Sequence, residues 1–188
     1  MQEIRHVQTA PLTTESPFAA RTWSRAVVAV VLGSALLAVS AHVQVPFWPV
    51  RLSMQSFVVL GIGLACGGRL GAATLLAYLT EGALGLPVFQ GGAGLAYMAG
   101  PTGGYLLGFL LAAFAVGALA ERGAMRGWTG RVVVLLLGVA LIYVPGVAWL
   151  AVLFGPVKAV AFGLVPFLPA EACKLALLAL VSAPLRRL

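Results

Sequence analysis

Apolar residues in this chain neither alternate nor recur as stripes; they come in long, nearly unbroken runs. The runs lie at about 23–43, 52–67, 70–84, 104–120, 131–154 and 169–184, divided by short segments where arginine, glycine and proline collect. A helix that crosses a bilayer needs roughly 20 apolar residues, with a lower limit near 17. Helices that are apolar all round belong in lipid or in a large core, not at a water boundary. Six spans are therefore predicted. The second and third are short and divided by GGR at 67–69. Short spans are acceptable inside a bundle, beside irregular segments that line a cavity. Residues 1–22 are polar and contain proline, which predicts a loose tail ahead of a transmembrane domain at 23–188. The first run ends in VSA at 39–41, faintly like a signal-peptidase site, but it is too long for a cleaved leader.

Composition agrees. Of 188 residues 61% are hydrophobic and only 9% charged, too apolar for a soluble domain of this length. All five acidic residues are Glu, too few to cover a soluble surface. The net charge of +7 does not indicate nucleic acid, because the basic residues punctuate the runs instead of forming one block or face. Cys66 and Cys173 sit in apolar segments and read as small core hydrophobes.

Loop charge orients the bundle. One set of loop ends holds Arg5, Arg21, Arg25, Arg69, Arg122, Arg126, Arg131, Arg186 and Arg187, and the other holds only Arg51 and Lys158. Positive charge collects on the cytoplasmic side, so both termini are expected there. The outward segments are then 44–52, 84–104 and 155–167, rich in Pro, Gly and aromatics and almost free of charge. Such segments are expected to dip into the bundle and cap a ligand cavity, with irregular backbone satisfied by protein or by the cavity.

Candidate chemistry gathers on this outer side. In PAEACKLALLAL at 169–180, Glu171 and Lys174 stand three residues apart on one helix face, just after Pro166 and Pro169 mark the helix start. The pair could simply neutralise itself, but ionisable groups at membrane depth are costly and usually face a cavity or pathway. Gln55, Gln90, Tyr97, Thr102 and Tyr105 are further candidates, with the glycines at 91, 92, 94, 100, 103 and 104 expected to let backbone approach a ligand. Phe47, Trp48, Phe89 and Met98 would supply apolar cover for a small organic ligand. No GxxxxGK[ST] loop, HExxH or GxSxG is present, and no catalytic or metal constellation. Neither inverted repeats nor a chain of intramembrane carboxylates marks a self-sufficient carrier.

These residues carry a resemblance. VPFWPVRLSMQS, YLTEGALGLPVFQGGAGL and GPTGGYLLGF, together with VPFLPAEACKLA at 165–176, resemble the BioY family, the biotin-specific substrate-capture (S) components of energy-coupling-factor (ECF) transporters. The resemblance implies a six-helix S-component fold that takes up biotin from outside, as a multi-pass protein of the bacterial plasma (inner) membrane, and no enzymatic activity or cofactor. It implies as partners a membrane coupling subunit and two ATP-binding-cassette ATPases, which alone would use ATP. The family's acidic-x-x-Lys pair falls on Glu171 and Lys174, often with Asp at the first position, and a polar position after PVF falls near Gln90. Biotin offers ureido N–H donors, a ureido carbonyl, an apolar thiolane and a carboxylate. Glu171, an acceptor only, would face the N–H groups, and Lys174 the carbonyl or the carboxylate. Small residues Ala29, Gly33, Ser34 and Ala38 on the first span would let helices approach closely. S components use such rows to meet the coupling subunit, so this row is expected to face that partner. Capture of another small vitamin, or autonomous carriage of biotin, are the competing readings.

Overall fold

The structure, a computed structural model, describes residues 17–45, 50 and 52–182. Phe47, Trp48, Arg5, Arg51, Arg186 and Arg187 lie outside them. Among the described residues the regular elements are helices and one short strand pair. Helices α1 (Pro17–His42), α2 (Gln55–Ala83), α3 (Gly94–Met98), α4 (Gly103–Glu121), α5 (Gly127–Phe154), α6 (Pro156–Gly163) and α7 (Leu168–Val181) follow in order, with a 3-10 turn, Val165–Phe167, before α7. Strands β1 (Gln44–Val45) and β2 (Leu52–Ser53) pair antiparallel, Gln44 opposite Ser53. Helix α1 starts at Pro17, ahead of the apolar run that begins at Trp23.

Among the described residues five segments are long and apolar enough to cross a membrane: Trp23–His42, Gln55–Ala83, Gly103–Glu121, Gly127–Phe154 and Pro156–Val181. The second and third predicted runs thus fall within one segment, α2. That segment is not straight. At Gly67 the backbone leaves the helix, with φ 80° and ψ 172°, a left-handed value that suits glycine. The two halves then fold back on each other. Gln55 Nε2 donates to Tyr78 Oη at 2.7 Å across 23 residues, which a straight helix would hold about 35 Å apart. An added Cβ on Gly71 would lie 3.3 Å from Gly63 Cα, so the halves meet along glycine.

Small residues make the other close contacts as well. In lipid no hydrophobic force draws helices together, so association rests on close packing and hydrogen bonds. A Cβ on Gly63 would meet the Ala113 carbonyl of α4 at 2.6 Å, and one on Gly108 would meet Ile142 Cα of α5 at 2.7 Å. Glycines 103 and 104, expected to admit a ligand, serve the same purpose. Their Cβ atoms would collide with the Met98 carbonyl and with the Pro145 carbonyl of α5. The bundle's outer faces are apolar and exposed, as at Val31 and Leu36 of α1, Phe114 of α4, Val144 of α5 and Leu180 of α7. That is the pattern of a surface that meets lipid.

One expectation changes. The segment at 155–167, expected to be irregular, forms α6 and the 3-10 turn, with Gly155 (φ 87°) turning the chain back along α5. In the small-residue row on α1, a Cβ on Gly33 would lie 2.6 Å from Thr74 Cγ2 of α2, Ser34 Oγ donates to Glu81 Oε2 of α2, and Ala38 packs on the core. Gly33 and Ser34 therefore meet the chain's own second segment.

Candidate ligand cavity between α2, α4, α5 and α7

Proline cannot supply the N–H of a helix interior but fits the first turn, so Pro169 sets the start of α7. Glu171 lies in that first turn, where the helix dipole favours a negative group. One turn on, Lys174 Nζ sits 2.8 Å from Glu171 Oε1. The side chains are only 10% and 6% exposed for Lys174 and Glu171, in a membrane-embedded bundle. An ammonium carries three N–H donors, and here each has an acceptor. The other two are the Ser53 carbonyl at 2.5 Å and Ser56 Oγ at 3.0 Å. Ser56 in turn donates to Glu171 Oε1 at 2.7 Å. The start of α2 and the start of α7, far apart in sequence, are thus joined by one charged cluster.

The cluster forms one wall of a cavity. All seven predicted ligand residues, Glu171, Lys174, Gln90, Gln55, Tyr97, Thr102 and Tyr105, line it. The remaining wall is largely apolar and aromatic, including Phe89, Phe109, Ile142 and Phe167. The rings hold one another. Phe89 stacks on Tyr97 with centroids 5.1 Å apart, and Tyr143 packs edgewise against Tyr105 and Phe167. Tyrosine hydroxyls bind the connecting segments: Tyr78 donates to the Val88 carbonyl at 3.0 Å, and Tyr105 to the Gly163 carbonyl at 2.7 Å. Gln44 Nε2 of β1 reaches the Gln90 carbonyl at 3.1 Å. The lining thus draws on the starts of α2 and α7 and on residues from each of the three connecting segments, among them Val50, Gln90 and Phe167.

Several lining residues carried no sequence signal of their own. Ser53 and Ser56 sit 121 and 118 residues from Lys174, and nothing in a single serine marks it as a partner of a distant charge. Tyr143 is different. A tyrosine inside an unbroken apolar run raises the question of where its hydroxyl goes, and here the Glu171 carboxylate lies beside it. Met98 packs on the core without lining the cavity. Among the described residues no three His, Cys, Asp or Glu side chains converge as metal ligands.

Known proteins share this arrangement of helices. The BioY family matches residues 9–188. The probable biotin transporter BioY of Pyrococcus horikoshii is 39% identical over 154 residues, 81% of this chain and 91% of its own length. The biotin transporter BioY of Thermotoga maritima is 36% identical over 162 residues, covering 82% and 92% of the two chains. The fold matches the crystal structure of the S-component for biotin from an ECF-type ABC transporter with a TM-score of 0.74 at 24% identity, over 89% of this chain and 94% of that one. With nearly its whole length matched, this multi-pass membrane protein belongs to the BioY family.

Proposed function

We propose that this protein captures biotin from the outer side of the plasma membrane, as the substrate-binding subunit of an ATP-driven vitamin uptake system. One observation supports the reading above the others: within a BioY-family chain, an acceptor-only carboxylate and an ammonium stand side by side on the wall of a cavity lined with aromatic rings. Biotin has the complementary groups. Its ureido N–H pair needs an acceptor, which Glu171 is, and its carbonyl or carboxylate needs a donor, which Lys174 is. Aromatic and aliphatic neighbours suit the thiolane and the tail. Because all three Lys174 donors already have acceptors, a ligand acceptor must replace one of them. Gln55, with its amide held by Tyr78, and Gln90, Tyr97, Thr102 and Tyr105 complete the proposed contact set.

The transport reading adds a membrane coupling subunit and two ATPases as partners, since this chain has no ATP-binding loop. It also needs a sidedness. Counting α2 as two passes folded at Gly67 makes six spans, with both termini and the arginine-rich ends cytoplasmic. Cysteines placed at exposed Leu86 and Ala124 test this: an impermeant thiol reagent should label the first from outside intact cells and the second only after lysis. Labelling of both from outside would end the six-span reading. The ligand is tested by native mass spectrometry of the purified protein for co-purified ligand, followed by titration with biotin. A different bound vitamin, or no response to biotin, would overturn the assignment. Biotin uptake by this chain without ATPase partners would instead make it an autonomous carrier.

A further inference from the structure

Glu171 and Lys174 share a neutral neighbour. Ser56, the second residue of α2, is buried, and its hydroxyl touches both Glu171 Oε1 at 2.7 Å and Lys174 Nζ at 3.0 Å. The direction of each bond follows from chemistry. An ammonium can only donate and a carboxylate can only accept, so Ser56 accepts from Lys174 and donates to Glu171. The hydroxyl proton is committed to Glu171, so Ser56 has no donor left to offer a ligand.

The cluster is asymmetric as a result. Lys174 has an acceptor for every N–H. Glu171 receives both Lys174 and Ser56 on the same oxygen, Oε1. A carboxylate has roughly four acceptor positions shared between two oxygens, so even with the Tyr143 hydroxyl beside it Glu171 keeps acceptor capacity, while Lys174 keeps no idle donor. Buried hydrogen-bond networks of this kind hold a unique geometry when every member is satisfied. Without the Ser56 hydroxyl, Lys174 would lose an acceptor and Glu171 a donor, and the carboxylate could rotate about its stem to compensate.

Resting on the biotin reading above, we propose that Ser56 is a positioning residue that sets the ligand preference of this cavity. It pins Oε1 of Glu171 toward Lys174, so that the remaining acceptor capacity of the carboxylate is presented to paired N–H donors of a cyclic urea. Ser56 does not contact the ligand itself. Its effect is therefore specific to ligands that carry those donors.

The test compares two ligands on three proteins in detergent: wild type, Ser56→Ala and Ser56→Thr, each titrated with biotin and with a biotin analogue methylated on its ureido nitrogens. The analogue keeps the thiolane and the tail but has no N–H to offer. The wild type should prefer biotin clearly. Ser56→Ala should bind biotin about tenfold more weakly, the scale of one lost buried hydrogen bond, while its weak affinity for the analogue stays within about twofold. The preference then shrinks. Ser56→Thr, which retains the hydroxyl, should recover most of the preference. An equal loss for both ligands in Ser56→Ala would mean that Ser56 only supports the fold, and an unchanged preference would mean that it does not position Glu171; either overturns the inference. If Ser56→Thr is poorly folded, a double-mutant cycle of Ser56→Ala with Lys174→Ala decides. The two losses should be strongly non-additive, and additive losses would overturn the proposal. Wild-type protein that ignores biotin would instead defeat the biotin reading itself.

Discussion

Two carboxylates lie within the apolar body of this protein, and their surroundings differ. Glu171 meets an ammonium, a serine hydroxyl and a tyrosine at the edge of a cavity. Glu81 meets the hydroxyl of Ser34 across the seam between α1 and α2. Among the described residues no cation pairs with Glu81, and it does not line the cavity. A charge in a membrane protein is usually taken as a sign of function. The comparison shows that the residue type alone is not the sign. A carboxylate held by several donors beside open space has the setting that the proposed ligand site needs, whereas one hydroxyl bond in a small-residue seam joins two helices.

The comparison can be broken at either end. The largest effect is expected at the cavity. Lys174→Ala should weaken biotin binding by about 30- to 1000-fold, equal to roughly 2–4 kcal/mol, because it leaves a buried carboxylate without its cation and the ligand without a donor. Titration of a folded, monodisperse variant measures this; retained affinity would move the site away from α7. The seam should respond differently. Gly33→Leu forces a branched side chain onto Thr74, already within 2.6 Å of a bare Cβ, and overpacking of this kind costs about 1–3 kcal/mol. The thermal midpoint in detergent should fall, with biotin affinity of the folded fraction preserved. A Gly33→Leu protein of normal stability that no longer assembled with a coupling subunit would show that the row faces a partner after all.

Glu81→Ala should have a smaller effect, about 1 kcal/mol or less from one interhelical hydrogen bond. Biotin affinity should stay within about twofold. A large loss of affinity would place Glu81 in the recognition system and erase the distinction between the two carboxylates. The matching small change at the cavity is Tyr78→Phe, which keeps the ring but loses the bonds to Gln55 and the Val88 carbonyl. A reduction in biotin affinity of about three- to tenfold is expected, with no change in the α1–α2 seam as read by thermal stability of the Glu81→Ala background.

Much of the architecture was legible because lipid imposes it. Backbone polar groups must be satisfied within each span, so apolar runs of sufficient length have to be helices. Glu171 and Lys174 could be found in one dimension, since i, i+3 spacing fixes their shared face whatever surrounds them. Proline before α7 located its start for a similar local reason. The reversal at Gly67 was less clear. GGR at 67–69 marked a break, and the structure shows that break as a fold-back inside a single apolar segment.

What the chain by itself determined is therefore whatever a residue owes to its immediate neighbours or to the solvent: the helices, their arginine-rich ends, and the ion pair on α7. Tertiary structure alone decided which faces meet. Ser56 and Ser53 join Lys174 only because the starts of α2 and α7 are brought together across more than a hundred residues. Gly33 and Ser34 turn toward α2 and not outward for a related reason. Around a helix in lipid, every face is apolar, so hydrophobicity does not mark the buried one, and only the shape and hydrogen bonds of the neighbouring helix select it.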